Sequence, residues 1–152
     1  LYPALKAQKD GYDQLLWTDG KTHQYIEESG TMNVMFVIDG VLITAPTTTG
    51  TILKGITRDS VLTLAQEMDM PVEERFLTVI ELEEALNSGK LEEAFGTGTA
   101  ATVAFIRLIN IHGKDYELKE VAPSAFSVRV LEALDNIKYG KVEDKYNWIT
   151  KY

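Results

Sequence analysis

The stretch Glu28-Ser29-Gly30-Thr31-Met32-Asn33-Val34-Met35-Phe36-Val37-Ile38 runs from an acidic segment through a glycine turn into a continuous apolar segment. An uninterrupted apolar run over residues 33–38 predicts a strand that is covered on both faces. Asp39-Gly40 follows directly and is a strong signal for a hairpin turn. Val41-Leu42-Ile43-Thr44 then predicts the returning strand, which Pro46 ends. We therefore expect a β-hairpin whose first strand is fully buried.

The segments on either side predict a mixture of helices and strands. Residues 4–10 are expected to end a helix at Gly11, and residues 14–17 and 23–28 to form two strands around an Asp19-Gly20 turn. The later predicted elements are a helix that Thr57 or Asp59 caps, strands over residues 72–79 and 101–111, a helix over residues 81–87, and a last helix that Ser124 caps. This order indicates a mixed α/β (α+β) fold without regular βαβ repetition, and residues 1–152 are predicted to be one domain.

Composition limits the classes of function. The chain has 152 residues, a formal net charge of −8 and no cysteine. An acidic chain argues against a nucleic-acid partner, whose binding surface would show clustered Lys and Arg. The lack of cysteine excludes a disulfide framework and fits a reducing compartment, so we expect a cytoplasmic location. No apolar run approaches the ~18 residues that indicate a membrane span, so no membrane partner is expected.

Three motifs could together hold a charged cofactor. Glu28 offers a carboxylate, Gly55-Ile56-Thr57-Arg58 lies where a loop enters a helix, and Gly96-Thr97-Gly98-Thr99-Ala100 lies between two predicted strands. A helix N-terminus presents unpaired N–H groups, and a glycine-rich turn lets the backbone approach an anion closely. A carboxylate can pair with a protonated ring nitrogen. Because phosphate and a cationic ring nitrogen are the two handles of pyridoxal phosphate, we predict that cofactor.

Each motif also has a plainer interpretation. An isolated Glu28 is more often a solvated acid beside Glu27. Thr57 can be an ordinary helix N-cap, and residues 96–99 can be a flexible turn between strands. The turn does not match a dinucleotide or P-loop motif, because neither a third glycine nor a Gly-Lys-Thr/Ser follows at the required spacing. Single motifs therefore do not decide the function.

The remaining titratable residues predict no second catalytic pattern. His23 and His112 are the only histidines, and their turn-like positions predict solvated side chains and no metal site. The lysines lie in turns or polar segments, without the apolar setting that would depress a lysine pKa for imine chemistry. A run of acids predicts a solvated helix face and comprises Glu81, Glu83, Glu84, Glu92 and Glu93.

Taken together in this order, the motifs resemble the fold-type IV pyridoxal-phosphate enzymes, and among them the branched-chain amino acid aminotransferases. The likeness covers nearly the whole chain and implies the large domain of the D-amino acid aminotransferase-like fold, a strand-rich pseudo-barrel with flanking helices. The segments that carry it are Gly11-Tyr12-Asp13-Gln14-Leu15-Leu16-Trp17, Glu28-Ser29-Gly30-Thr31-Met32-Asn33, Gly55-Ile56-Thr57-Arg58-Asp59, Glu73-Glu74-Arg75, Glu93-Ala94-Phe95-Gly96-Thr97-Gly98-Thr99-Ala100 and Ile137-Lys138-Tyr139-Gly140 with Trp148.

The resemblance implies a set of residues that bind the cofactor. Glu28 would pair with the pyridine nitrogen, and Thr31 would lie beside the cofactor. Ile56 and Thr57 would bind the phosphate through backbone N–H groups, with help from the Thr57 hydroxyl. Thr99 would also hold the phosphate.

The resemblance also implies where substrate binds and which parts lie elsewhere. The turn of Gly98, Thr99 and Ala100 would receive the substrate carboxylate through its amides. The imine-forming lysine of the family precedes the positions that match Leu1-Tyr2, so no catalytic residue is expected in the chain. The smaller N-terminal domain would lie upstream as well.

The function implied by this resemblance is branched-chain amino acid transamination. Amino groups would pass between leucine, isoleucine or valine and 2-oxoglutarate, in an enzyme that is usually a homodimer. The chain itself would be an inactive C-terminal fragment of residues 1–152. A D-amino acid aminotransferase or an aminodeoxychorismate lyase of the same fold is the alternative enzyme, and a non-catalytic phosphate-ligand or scaffold domain is the alternative of another class.

Overall fold

The computed structural model describes residues 2–150, and these form one predominantly antiparallel sheet, a separate two-strand sheet and flanking helices. The mixed α/β class predicted from the sequence is confirmed. The α-helices of the described residues are α1 (Tyr2–Lys9), α2 (Ile56–Glu67), α3 (Val79–Ser88) and α4 (Phe126–Lys138). The strands are β1 (Leu16–Thr18), β2 (Tyr25–Ser29), β3 (Met32–Ile38), β4 (Val41–Thr44), β5 (Val72–Glu74), β6 (Leu77–Thr78), β7 (Leu91–Thr97), β8 (Val103–Phe105), β9 (Leu108–Ile111) and β10 (Lys114–Glu117).

Strand β3 is the centre of the large sheet. One of its edges pairs with β7 from Asn33 to Ile38. The first residues of β3 also pair with the end of β2, whereas its second half pairs with β4. Among the strands of residues 2–150, β4 and β5 are the one pair that runs parallel. The sheet therefore opens between β2 and β4, and the connection from β4 to α2 begins beside this opening.

Both faces of β3 are covered, as the continuous apolar run predicts. Val34 and Phe36 belong to one buried cluster, which α3 and the two-strand sheet β9–β10 complete. Met35 and Val37 belong to the opposite cluster, which contains apolar side chains of α2 and α4. Each fully buried aliphatic side chain of this kind contributes about 1.5–3 kcal/mol of transfer free energy. A strand with such burial on both faces fixes the register of its neighbours.

The hairpin between β3 and β4 has the predicted two-residue turn. Asp39 has φ 49° and Gly40 has φ 76°. Positive φ at both turn residues matches the right-handed twist of the flanking strands. The prediction from the Asp-Gly pair is confirmed.

The Asp19-Gly20 segment forms a longer turn than the sequence predicts. The carboxylate of Asp19 accepts backbone N–H bonds from Thr22, Gln24 and Tyr25 at 2.6–3.0 Å. These donors stabilise the charged carboxylate, led by the N–H of Tyr25, and hold the pKa of Asp19 well below its usual range. The strand that follows begins at Tyr25 because residues 19–24 wrap around this side chain.

Two predicted strands are each divided in the structure. Residues 72–79 form β5 beside β4 and β6 beside β2, because the strands on which they pair have diverged. Residues 101–111 form β8 beside β7 and β9 beside β10. Apolar periodicity indicates which residues are buried, but it does not indicate with which strand they pair. The sequence therefore predicts one continuous strand where the structure has two.

Helix α4 is capped by a distant strand residue. Ser124 does not cap it: Ala125 is the N-cap residue and makes no side-chain cap bond. The carboxylate of Glu93 on β7, which is 6% exposed, accepts the N–H groups of Phe126 at 2.9 Å and Ser127 at 2.8 Å. The Ser127 hydroxyl also donates to Glu93. The predicted solvated role of Glu93 is therefore wrong, and its charge satisfies N–H groups that the helix leaves unpaired.

We expect Glu93→Ala to reduce the free energy of unfolding by about 2–3 kcal/mol, because hydrogen bonds to a charged acceptor are lost from a buried helix end. Urea denaturation measures the change. Glu84→Ala, at an exposed position on α3, is the matched control and should stay within about 0.5 kcal/mol of the parent chain. Equal effects of the two substitutions would contradict the capping role.

Candidate functional site

The three sequence motifs meet at one end of β3. Glu28 is the cross-strand partner of Asn33, and Asn33 is in turn the partner of Thr97. Side chains directly opposite each other in an antiparallel pair lie on the same face, about 5 Å apart. The acidic strand end, the start of β3 and the Gly-Thr turn after Thr97 are therefore neighbours.

The loop before α2 is bound to this row through the peptide groups of Leu53. The N–H of Leu53 donates to the Glu28 carboxylate at 3.1 Å. The side-chain amide of Asn33, a residue that is 5% exposed, donates to the Leu53 carbonyl at 2.9 Å. Glu28 and Asn33 thus fix both polar groups of one loop residue, and this places the first turn of α2 beside the strand ends.

Gly55 fits between this loop and Asn33. A Cβ at Gly55 would lie 2.3 Å from the Asn33 side-chain oxygen, closer than real Cβ atoms approach. The Asn33 side chain is buried and already bonded to Leu53, so it has little freedom to move away. Glycine is required here by a close approach, since its φ of −66° is ordinary.

The N-terminus of α2 has no side-chain cap. The predicted capping by Thr57 or Asp59 is wrong, because the helix begins at Ile56 and Gly55 is its N-cap residue, with no side-chain cap bond. Ile56 is 81% exposed at this end of the helix. An uncapped first turn carries unpaired N–H groups and partial positive charge, which is the arrangement that binds phosphate in many proteins.

Arg58 does not contribute its charge to this helix end. Its guanidinium is buried and donates to the Ala45 carbonyl at 3.0 Å and to the Glu74 carboxylate at 2.6 Å. These bonds connect α2 to the ends of β4 and β5. The arginine of the Gly-Ile-Thr-Arg motif therefore positions the helix rather than a ligand.

The Gly-Thr turn completes this end of the sheet. Strand β7 ends at Thr97 and β8 begins at Val103, so residues 98–102 form the connection. Thr99 and Ala100 are exposed, and Gly98 is half-buried. A Cβ at Gly98 would lie 3.0 Å from the side chain of Met32, which packs across the strand end. The turn therefore presents its backbone to solvent close to the start of β3.

Thr31 lies in the short turn between β2 and β3, and its side chain is exposed. The indole of Trp17 donates to the carbonyl of the preceding Gly30 at 3.0 Å. The N–H of Gly30 donates to the carbonyl of Leu15 at 2.8 Å. The turn that carries Thr31 is thus held against β1.

The lysine and histidine side chains of the described residues are exposed, and none lies in a buried environment that would make it reactive. Every lysine among residues 2–150 has an exposed side chain. His23 and His112 are exposed, as predicted, and both adopt positive φ. Several predicted solvated acids have specific partners instead: Glu81 pairs with Arg75, and Glu83 accepts the Tyr116 hydroxyl at 2.7 Å.

Thr97 is only 1% exposed, and its buried hydroxyl has no hydrogen-bond partner among residues 2–150. We expect Thr97→Val to raise the free energy of unfolding by about 1 kcal/mol, because it removes an unsatisfied polar atom without changing the shape. Thr44→Val is the matched control: its equally buried hydroxyl donates to the Val34 carbonyl at 2.8 Å. That control should lose about 1 kcal/mol. Chemical denaturation of both variants measures the difference, and a loss at Thr97 equal to that at Thr44 would contradict the assignment.

Comparison with known proteins identifies the family. The family model for class IV amino-transferases matches residues 1–109. The chain belongs to the class IV aminotransferases. Within residues 2–150, no helix is long and apolar enough to cross a membrane.

Branched-chain aminotransferases are among the proteins similar to this chain. The probable branched-chain-amino-acid aminotransferase of Staphylococcus epidermidis is 39% identical over 142 residues, which are 93% of this chain and 39% of that protein. Branched-chain-amino-acid transaminase 1 of Bacillus subtilis is 41% identical over 143 residues, 94% of this chain and 40% of that protein. The chain thus spans about two fifths of the length of the curated relatives it matches.

Solved structures agree with the fold. The branched-chain aminotransferase of Escherichia coli superposes with a TM-score of 0.78 at 31% identity, covering 97% of this chain and 46% of that one. The branched-chain aminotransferase of Thermobaculum terrenum in its PLP-form superposes with a TM-score of 0.80 at 32% identity. The match covers 97% of this chain and 44% of that one. The resemblance to fold-type IV branched-chain aminotransferases stated from the sequence is confirmed.

Proposed function

We propose that the chain is the C-terminal, pyridoxal-phosphate-binding domain of a branched-chain amino acid aminotransferase. The whole protein would exchange amino groups between leucine, isoleucine or valine and 2-oxoglutarate. The observation that carries the proposal is the meeting of a carboxylate, an uncapped helix N-terminus and a Gly-Thr turn at one end of β3. The similarity to branched-chain aminotransferases supports the same substrate class.

The phosphate of the cofactor would bind at the start of α2. Ile56 and Thr57 lie in its first turn, where N–H groups have no intrahelical acceptor. The hydroxyls of Thr57 and Thr99 would add two donors. Because this site uses backbone groups and hydroxyls, it is compatible with a formal net charge of −8 on the chain.

Glu28 would serve two partners with its two oxygens. One oxygen accepts the Leu53 N–H and holds the loop in front of α2. The other would pair with the protonated ring nitrogen and keep the proton there. The cofactor, when bound, supplies an electron sink for the carbon from which the substrate proton is removed. Thr31, exposed in the adjoining turn, would lie beside the ring.

The turn after β7 would orient the substrate. Gly98, Thr99 and Ala100 lie beyond the last paired residue of β7, so their amides are outside the ladder of the sheet. They would donate to the substrate carboxylate. Pairing the carboxylate with fixed backbone donors holds the amino group in one orientation.

The proton-transferring lysine would lie upstream of Leu1, together with the smaller N-terminal domain. Two facts support this: every lysine of residues 2–150 is exposed, and the chain spans about two fifths of its relatives. The chain alone is then inactive. For the whole enzyme we expect a cytoplasmic location, because the chain has no cysteine, and a homodimer, which is usual in the family that the chain resembles.

Within the same fold, a D-amino acid aminotransferase or an aminodeoxychorismate lyase is the alternative, and the named relatives favour the branched-chain enzymes. A non-catalytic scaffold or phosphate-ligand domain is the alternative of another class. An aminotransferase domain should bind pyridoxal phosphate saturably and require Glu28 for this binding, whereas a scaffold domain should not.

We expect the chain to bind pyridoxal phosphate weakly, and Glu28→Gln to weaken this binding about tenfold by removing the charge opposite the ring nitrogen. A glutamine oxygen can still accept the Leu53 N–H, so the loop should keep its place. Absorbance titration measures the affinity. Glu27→Gln is the matched control, because the neighbouring carboxylate bonds only to the Thr51 hydroxyl among residues 2–150. An equal loss in both variants, or no saturable spectral change, would favour a scaffold.

In the full-length protein, we expect borohydride reduction followed by peptide mapping to find the pyridoxyl group on a lysine upstream of Leu1. The reason is that the lysines of residues 2–150 have exposed side chains without a buried apolar setting. Reduction in the presence of leucine should lower the yield of labelled lysine. A label on a lysine within this chain would overturn the fragment assignment.

A further inference from the structure

A partly open cavity lies on the other face of the large sheet from α2. Its volume is about 550 Å³, and it is lined by residues of β1, β2, the start of α3 and the two-strand sheet. Ile26, Leu82 and Ile111 are buried core residues on its wall. None of the residues proposed to bind cofactor or substrate lines it. The volume is within the range of small-molecule binding sites.

Both histidines of the chain lie on this cavity. His23 comes from the loop between β1 and β2, whereas His112 comes from the hairpin of the two-strand sheet. The two histidines are 89 positions apart in the sequence, and the packing of the two sheets places both on the wall of one cavity. An imidazole N–H can donate to an anionic group of a ligand.

The backbone holds both histidines in place. His23 has φ 57° and its N–H donates to the Asp19 carbonyl at 3.1 Å. His112 has φ 52°, and the N–H of the following Gly113 donates to the Asn110 side chain at 3.2 Å. Fixed turns reduce the conformational entropy that a ligand must remove on binding.

The charge of the cavity differs from that of the chain. The chain has 23 acidic and 15 basic residues, yet neither Asp nor Glu is among the described residues that line this cavity. A comparable cavity of about 620 Å³ elsewhere on the chain is lined by Asp39, Glu81 and Glu84. The described lining combines apolar residues with uncharged polar ones, which are Thr18, Gln24, Thr78, Asn110 and the two histidines. A wall of this kind without carboxylates favours a ligand with an apolar body and one negative end.

We propose that this cavity is a binding site for a small amphipathic carboxylate, separate from the cofactor site. The apolar part of the ligand contacts Leu16, Val79 and Ile80, and its carboxylate accepts hydrogen bonds from His23 and His112. The proposal stands on the cavity alone and does not depend on the proposed transaminase activity.

Calorimetric titration of the full-length protein with octanoate tests the proposal. Octanamide, which has the same apolar body without the charge, should bind about tenfold more weakly, because hydrogen bonds to a charged acceptor are the stronger ones. His23→Asn and His112→Asn should each weaken octanoate binding about five- to tenfold. Asparagine is chosen because it tolerates positive φ, so the turns should persist.

The controls separate this site from the cofactor site. Arg107→Gln removes an exposed cation that does not line the cavity. The affinity of this variant for octanoate should stay within about twofold of that of the parent protein. Glu28→Gln and Thr99→Val should leave octanoate binding unchanged while they affect pyridoxal phosphate. The absence of saturable octanoate binding would overturn the proposal, as would equal binding of octanamide or a loss of binding that follows Thr99 instead of the histidines.

Discussion

The site depends on one constraint: two paired strand residues, Glu28 and Asn33, hold the loop residue Leu53 in place. Glu28 and Asn33 face each other across β2 and β3, and together they hold the N–H and the carbonyl of Leu53. Each bond contributes only about 1–3 kcal/mol. Their position matters more than their energy, because they determine where α2 begins and which direction its first N–H groups face.

The same pairing gives Glu28 a fixed position beside the start of α2 in an acidic chain. Glu28 has one oxygen on the loop, so its orientation is fixed by the scaffold and not by a ligand. Glu93 accepts the N–H groups of Phe126 and Ser127 and the Ser127 hydroxyl, and its burial keeps it away from a ligand. Two glutamates on neighbouring parts of one sheet thus have different chemistry, because the number of backbone N–H groups that reach each carboxylate differs.

The two faces of β3 separate two kinds of space. On one face, α2 and α4 pack on Met35 and Val37, and the first turn of α2 has N–H groups without intrahelical acceptors. On the other face, the two-strand sheet packs with α3 and lines a partly open, uncharged cavity with both histidines on its wall. Because β3 is buried on both sides, neither of its faces can move without unpacking a core.

The amino-acid sequence by itself determined the central hairpin, the helix and strand composition, the family and the candidate residues of the cofactor site, because apolar periodicity, Asp-Gly turns and short motifs are local signals. Only the tertiary structure decided the caps and the partners. Ser124 does not cap α4 and Glu93 does, because the donor and acceptor come from distant segments. His23 and His112 read as unrelated solvated residues, yet they share one cavity. Contacts between distant segments arise from the packing of sheets and helices, and no local pattern of residues encodes them.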